Sequence, residues 1–276
     1  MPSESTTSKR TLAIFGATGR TGSETLKNIL AKHINPLYLK IYVRSRSRLL
    51  SKFPELKTSR TAEIFEGQIT DVEAVKSCLA GADTFICALG DNGNRPGIRV
   101  MEDASRTIVT ALRQLKAEAG NSWEKPRLIL LSSATWNDRF TAHRPAAVHW
   151  MVANAFFYTY TDLRGAHAVF KSEPELMKLL LVQPPAIIEE EASGYTISVE
   201  TVGLAVSYAD LGAAFAELAT EPAYESVDAV GVTSGLSKEG FPRYGREIMT
   251  RVVRGLLATF VPGFWRINDM LDRVLG

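Results

Sequence analysis

A chain of 276 residues that is 45% apolar and 22% charged is long enough to bury a large core and too apolar for a disordered segment. Its 32 Lys+Arg and 30 Asp+Glu leave a net charge of +2 with both signs interspersed, which excludes an extended basic surface for nucleic acid. Two cysteines, Cys78 and Cys87, make no disulfide framework, and no run approaches the ~20 apolar residues that span a bilayer; the expectation is a cytoplasmic protein with no nucleic-acid or membrane partner.

The polar stretch 1–9 carries no signal-peptide pattern and is expected to be a disordered tail, with one unit over 10–276 behind it. A short apolar strand over 11–15 then runs into Gly16-Ala-Thr-Gly-Arg-Thr-Gly22 and a helical pattern over 21–32. Glycines at that spacing between strand and helix let the backbone approach a dinucleotide pyrophosphate, while unpaired N–H groups and the helix dipole favour its charge. Gly16, Thr18, Gly19, Arg20, Thr21 and Gly22 are therefore candidate cofactor contacts. His33, late in this helix, reads as a surface residue.

A second strand over 38–43 ends in Val43-Arg44-Ser45-Arg46-Ser47-Arg48. Sites that take NAD place an acid here for the ribose 2′-hydroxyl; this chain has arginines instead, and a guanidinium offers paired donors to a 2′-phosphate. Arg44 and Ser45 are the expected contacts, Arg20 can join them, and NADP(H) is the expected cofactor. After a third strand over 62–66, Gly67-Gln-Ile-Thr-Asp71 lies where an adenine would be covered, and Asp71 is also placed to cap the next helix, 71–80. The fourth strand, 84–88, ends in Ala88-Leu89-Gly90, and carboxyl ends of strands are where such sheets bind ligands.

A long helix is expected over 97–119, a fifth strand over 127–131, one helix over 147–171 and a sixth strand over 179–182. These near-continuous apolar strands alternating with helices imply an α/β fold, a doubly wound Rossmann-type parallel sheet covered on both faces. Beyond residue 184 the alternation loosens into a smaller, substrate-side portion: a hairpin over 187–199, a helix over 207–219, a strand over 229–233 and a helix over 242–259. The tail 260–276, with Phe264, Trp265, Ile267, Met270 and Leu271, is expected to pack on the sheet, the alternatives being a cleft cover or a partner subunit.

Together, Gly16–Gly22, Val43-Arg44, Gly67–Asp71, Leu131-Ser-Ser-Ala-Thr135 and Gln183-Pro-Pro-Ala186 resemble the atypical short-chain dehydrogenase/reductase superfamily, its NmrA-like and biliverdin-reductase-B-like branch. The stretches Tyr160–His167 and Ser207–Leu211 are similar to the averufin-oxidase-like oxidoreductases of fungal polyketide pathways. The resemblance implies an NADPH-dependent oxidoreductase acting on an aromatic small molecule, as a monomer or homodimer. It adds Ser132 and Pro184 to the cofactor contacts and implies a serine–tyrosine pair that binds the substrate oxygen, with a lysine one helical turn beyond the tyrosine.

Aligned on that motif, Ser133 is the serine and Tyr158 the tyrosine, with Tyr160 taking its place if the alignment shifts by two. The lysine position is then Asp162, which would disfavour a tyrosinate and is read as a base, a hydroxyl-orienting group, a ribose contact or a helix-packing partner. His149 is a candidate proton donor and His143 a solvated loop residue. Trp136 and Trp150 are candidate substrate-stacking groups, whereas Phe156 and Phe157 are expected to pack their helix on the sheet. His and Cys spacing suggests no metal site. Two other readings compete, a dinucleotide-binding regulator without catalysis and a non-redox cyclase or isomerase.

Overall fold

The computed structural model describes residues 10–32, 37–235 and 245–275. Four strand–helix units come first: β1 (Arg10–Phe15) with α1 (Arg20–Ala31), β2 (Leu37–Val43) with α2 (Arg46–Lys52), β3 (Ala62–Glu66) with α3 (Val72–Leu79), and β4 (Thr84–Cys87) with α4 (Val100–Ala119). After β5 (Arg127–Leu131) come a 3-10 turn over Ala134–Trp136, the short α5 (Asp138–Thr141), α6 (Ala146–Ala155) and α7 (Phe157–Lys171). The rest is β6 (Lys178–Val182), β7 (Ala186–Ile188), β8 (Tyr195–Ser198), β9 (Ala205–Ser207), α8 (Tyr208–Thr220), β10 (Ala229–Ser234), α9 (Gly245–Phe260) and α10 (Phe264–Leu275). The tail 1–9, His33 and the first residues of the helix expected over 242–259 lie outside the described residues.

The large sheet runs β3-β2-β1-β4-β5-β6-β10-β8, with every neighbouring pair parallel except β10 and β8. This is the doubly wound α/β architecture expected from the strand–helix alternation. Strand side chains alternate between two cores, which is why both kinds of position are apolar. From β1, Leu12 and Ile14 face one core with Leu26 of α1 and Phe215 of α8. Ala13 and Phe15 face the other with Ile108 of α4 and Phe170 of α7. Phe15, Phe85, Phe170 and Phe215 are fully buried, each contributing about 2–3 kcal/mol of transfer free energy.

Four expectations are corrected. The segment expected as a hairpin over 187–199 divides between sheets: β7 pairs in parallel with β9, while β8 pairs with β10. Three glutamates follow Ile188 directly, and a strand carrying them cannot continue into a packed hairpin. The open edge of β10 instead takes β8, where Ile197 pairs with Val232. The turn itself persists, because Gly194 adopts φ +83° and the buried Asp210 carboxylate accepts from the Ser193 and Gly194 N–H groups at 3.2 and 3.1 Å.

The single helix expected over 147–171 is broken at Phe156 (φ −120°, ψ 31°) into α6 and α7. α9 abuts this break; Gly255 sits against the Ala155 carbonyl so closely that any Cβ would overlap it. Consequently Phe157 is 47% exposed and does not pack the helix on the sheet. Nor does the tail pack there: α10 docks on α9 and on the loop after β4, where Arg95 holds Asp269 through two bonds of 2.7 and 3.0 Å.

Candidate active site

The carboxyl ends of β1, β4, β5 and β6 align in register, Phe15 with Cys87, Cys87 with Leu130 and Leu131 with Val182. Strand order reverses between β1 and β4, so the cleft opens there, between the glycine loop and Ala88-Leu89-Gly90. Gly16 has φ +90°, and a Cβ on it would lie 2.7 Å from the Ala88 carbonyl oxygen. Only glycine allows the loop to turn so tightly beside β4. Gly22 lies equally tight under the Gly16 carbonyl, and the buried Thr21 carbonyl accepts from Thr25. Gly19 caps α1 with no side-chain bond, which leaves first-turn N–H groups open to an anion. These residues fit a dinucleotide.

Arg44 is exposed at the end of β2 and makes no hydrogen bond or ion pair among the described residues. Ser45 caps α2 by accepting from the Arg48 N–H at 3.2 Å, and Asp71 caps α3 by accepting from the Ala74 N–H at 3.1 Å. Arg46 is committed elsewhere, donating to the Ile64 carbonyl at 2.7 Å. Lys52, which sequence reasoning missed, reaches the glycine loop and donates to the Thr18 carbonyl at 3.2 Å. Arg20 does not point toward Arg44. It pairs with Glu189 at 2.5 Å and lies 5.5 Å from the centre of the Tyr208 ring, on the side of β7 and α8.

At the end of β5, the Ser133 hydroxyl accepts from the Thr135 N–H at 3.3 Å and donates to the Tyr160 hydroxyl at 3.3 Å. The Thr135 and Tyr160 hydroxyls are 3.2 Å apart. Ser132 accepts weakly from the buried Gln183 amide, whose oxygen takes a bond from Asn137 at 2.7 Å, and the Pro184 carbonyl accepts from the Ala134 N–H at 2.9 Å. These bonds stitch β5 and β6 beneath the hydroxyl cluster.

Trp136 forms the wall of the cluster. Its ring meets Tyr160 edge-on at 5.6 Å and His149 edge-on at 6.1 Å, and the Arg164 guanidinium lies 4.8 Å from its centre. Phe156 leans on Tyr160 at 5.7 Å. Arg144 is held below the usual arginine value chiefly by burial, which the Tyr160 phenol partly offsets.

Tyr158, Asp162 and Trp150 are therefore placed elsewhere. Tyr158 is not the partner of Ser133; its N–H donates to Asn94 at 2.9 Å and its ring packs edge-on against Phe157. Asp162 is 3% exposed, and its two oxygens accept from the Met101 and Glu102 N–H groups at 2.9 and 2.8 Å. It caps α4, whose own N-cap Arg99 supplies no side-chain bond, so the helix-packing alternative is the one observed. Trp150 is 58% exposed and stacks on Phe260 at 5.9 Å, outside the hydroxyl cluster. His143 is exposed. His167 is buried and its pKa pushed down to about 4, first by desolvation and then by Lys171.

A family model described as NAD(P)H-binding matches residues 16–222. The chain belongs to this NAD(P)H-binding family. Averufin oxidase A of Aspergillus flavus is 34% identical over 232 residues, covering 81% of this chain and 82% of that protein. Oxidoreductase aflX of Aspergillus parasiticus is 30% identical over 259 residues, covering 92% and 93%. The fold is shared with a short-chain dehydrogenase/reductase from Veillonella parvula in complex with NADP, at a TM-score of 0.62 and 16% identity over 82% of this chain and 95% of that one. The NAD(P)H-binding family and the similarity to fungal oxidoreductases read from the motifs thus hold.

Within this NAD(P)H-binding chain, Asn94 is a positioning residue with no obvious local signal. It adopts φ 48°, is 3% exposed, and donates to the Gly255 carbonyl and the Thr259 hydroxyl at 3.2 and 3.3 Å. Its carbonyl takes the Trp265 indole N–H at 3.2 Å. Through its side chain Asn94 ties the loop after β4 to α7 and α9, and through its backbone carbonyl to α10. Burial pushes the Cys87 thiol up to about 12, so it is no nucleophile despite its place beside the cleft. Among the described residues, no group of His, Cys, Asp and Glu can hold a metal, and no helix is long and apolar enough to cross a membrane.

Proposed function

We propose that this protein is an NADPH-dependent oxidoreductase that reduces a carbonyl or quinone-like group on an aromatic, polycyclic metabolite of the fungal polyketide type. The observation that carries this reading is the hydroxyl relay of Ser133, Thr135 and Tyr160 at the end of β5, beside the dinucleotide cleft and walled by Trp136. The names of the fungal relatives support the reaction class. The bound nicotinamide would supply the hydride chemistry.

The chain's own residues bind, orient and donate. The Thr135 N–H donates to Ser133, and Ser133 donates to Tyr160, which turns the phenolic proton outward toward a substrate oxygen. Arg164 lies over the Trp136 ring that meets Tyr160, and Arg144 is within electrostatic reach of the phenol, so two cations border the cluster. Counted from Tyr160, the residue one helical turn on is Arg164, not Asp162, so a cation stands where the resemblance implies a lysine. Arg44, at the end of β2, is the group that would select the 2′-phosphate, and Lys52 adds a second cation next to the loop.

The test is a fluorescence titration with NADPH and NADH, followed by NADPH oxidation with a panel of anthraquinones and aromatic ketones. The reading expects NADPH to bind at least ~10-fold tighter, about 1.4 kcal/mol, and at least one quinone or ketone to be reduced. Tight NADPH binding with no turnover on any member would instead favour a dinucleotide-binding regulator. Binding of neither nucleotide would overturn both.

A further inference from the structure

We infer that the outer face of α9 and α10 docks on a lipid bilayer carrying anionic headgroups. α9 exposes Met249, Val253, Leu257 and Phe260, each between 43% and 54%, at spacings of four, four and three residues that put them on one stripe. α10 continues the face with Ile267 and Met270, 52% and 60% exposed. Between the helices lies an apolar groove of ≈ 460 Å³ bordered by Arg246 and Arg254 and floored by Leu257 and Phe264. At one end Trp150 of α6 stacks on Phe260, and both rings remain more than half exposed. A contiguous patch of this kind is rarely left facing water.

Charge decides between a bilayer and a second copy of the chain. Arg246, Arg254 and Arg266 are all exposed along this face. The described acidic side chains of the two helices are already committed: Glu247 pairs with Arg251 at 2.5 Å, and Asp269 with Arg95 at 2.7 Å. Two copies meeting face to face would bring arginines against arginines, with no uncommitted carboxylate among the described side chains of the two helices. An anionic lipid surface meets the same arginines favourably while the aliphatic and aromatic groups enter the headgroup–acyl boundary. The expectation of no membrane partner came from the lack of a spanning run, which a surface-lying amphipathic helix does not need. The inference stands independently of the oxidoreductase reading. The face lies near the hydroxyl cluster: His149, beside Trp150 in sequence, meets Trp136 edge-on.

The test is co-sedimentation of the full chain with vesicles of phosphatidylcholine alone and of phosphatidylcholine with phosphatidylserine, at low and high salt. Two variants accompany it: Val253→Asp with Leu257→Asp, and Arg246→Glu with Arg266→Glu. The side chains changed are exposed or half-buried at most in the groove, so thermal midpoint and NADPH binding serve as checks that both variants fold. The inference expects salt-sensitive binding to the phosphatidylserine vesicles and at least a tenfold loss in each variant. No binding to these vesicles, or equal binding to neutral ones, would overturn it. So would a dimer mass in light scattering that the Val253→Asp, Leu257→Asp variant returns to a monomer, since the occupant would then be a second copy.

Discussion

Arg20, the only charged side chain in the glycine loop, is held by Glu189 at 2.5 Å, across the gap between α1 and the segment after β7. The carboxylate therefore competes with any phosphate for this guanidinium. Both side chains are well exposed, which limits the pair to ~0.5–1 kcal/mol. Glu189→Gln is expected to tighten NADPH binding about two- to fivefold. Isothermal titration checks this, and weaker binding in the variant would show that Glu189 aligns Arg20 instead of competing for it.

Arg44 carries the cofactor preference. Arg44→Gln is expected to weaken NADPH about tenfold, ~1.4 kcal/mol, and to leave NADH unchanged. Parallel titrations of the two nucleotides read this directly; an equal loss for both would place Arg44 outside the 2′-phosphate site.

Asp162 is a structural group. Its carboxylate satisfies two N–H donors at the start of α4, and Asp162→Ala leaves them buried without a partner. The expected cost is about 2 kcal/mol of stability, with Asp162→Asn costing less because one oxygen remains. Urea denaturation measures the loss. NADPH affinity in the folded Asp162→Asn variant is expected to stay within about twofold of the parent protein.

Stability should fall in mild acid through His167. In the folded chain its imidazole stays neutral down to about 4, against an ordinary value of 6.5 once unfolded. Between those values the unfolded chain binds more protons, so stability drops as pH is lowered through that window, by up to about 3 kcal/mol from this group. His167→Gln removes the titration and should flatten the slope of unfolding free energy against pH over that range.

How far the sequence could be read depended on how local each signal was. β1, the glycine loop and α1 are neighbours in the chain, and the cap Asp71 acts on an N–H group three residues away, so they were legible. The choice between Tyr158 and Tyr160 was not. It turns on the break at Phe156, which contains neither proline nor glycine and which α9 abuts from about a hundred residues away. The same holds for Asp162, whose N–H partners lie 61 and 60 positions back, and for Asn94, whose partners reach as far as Trp265. Such pairings are set by tertiary packing and leave no periodicity in the sequence.

The central claim, proton donation by the phenol beside Ser133, is tested most directly by comparing Tyr160→Phe with Tyr158→Phe in reduction of a responsive quinone. Removing a positioned proton donor costs roughly 10²–10⁴-fold in rate. The account predicts a kcat loss of that order for Tyr160→Phe with NADPH affinity preserved, and near-parental kcat for Tyr158→Phe. Parental turnover in Tyr160→Phe, or a collapse confined to Tyr158→Phe, would contradict it.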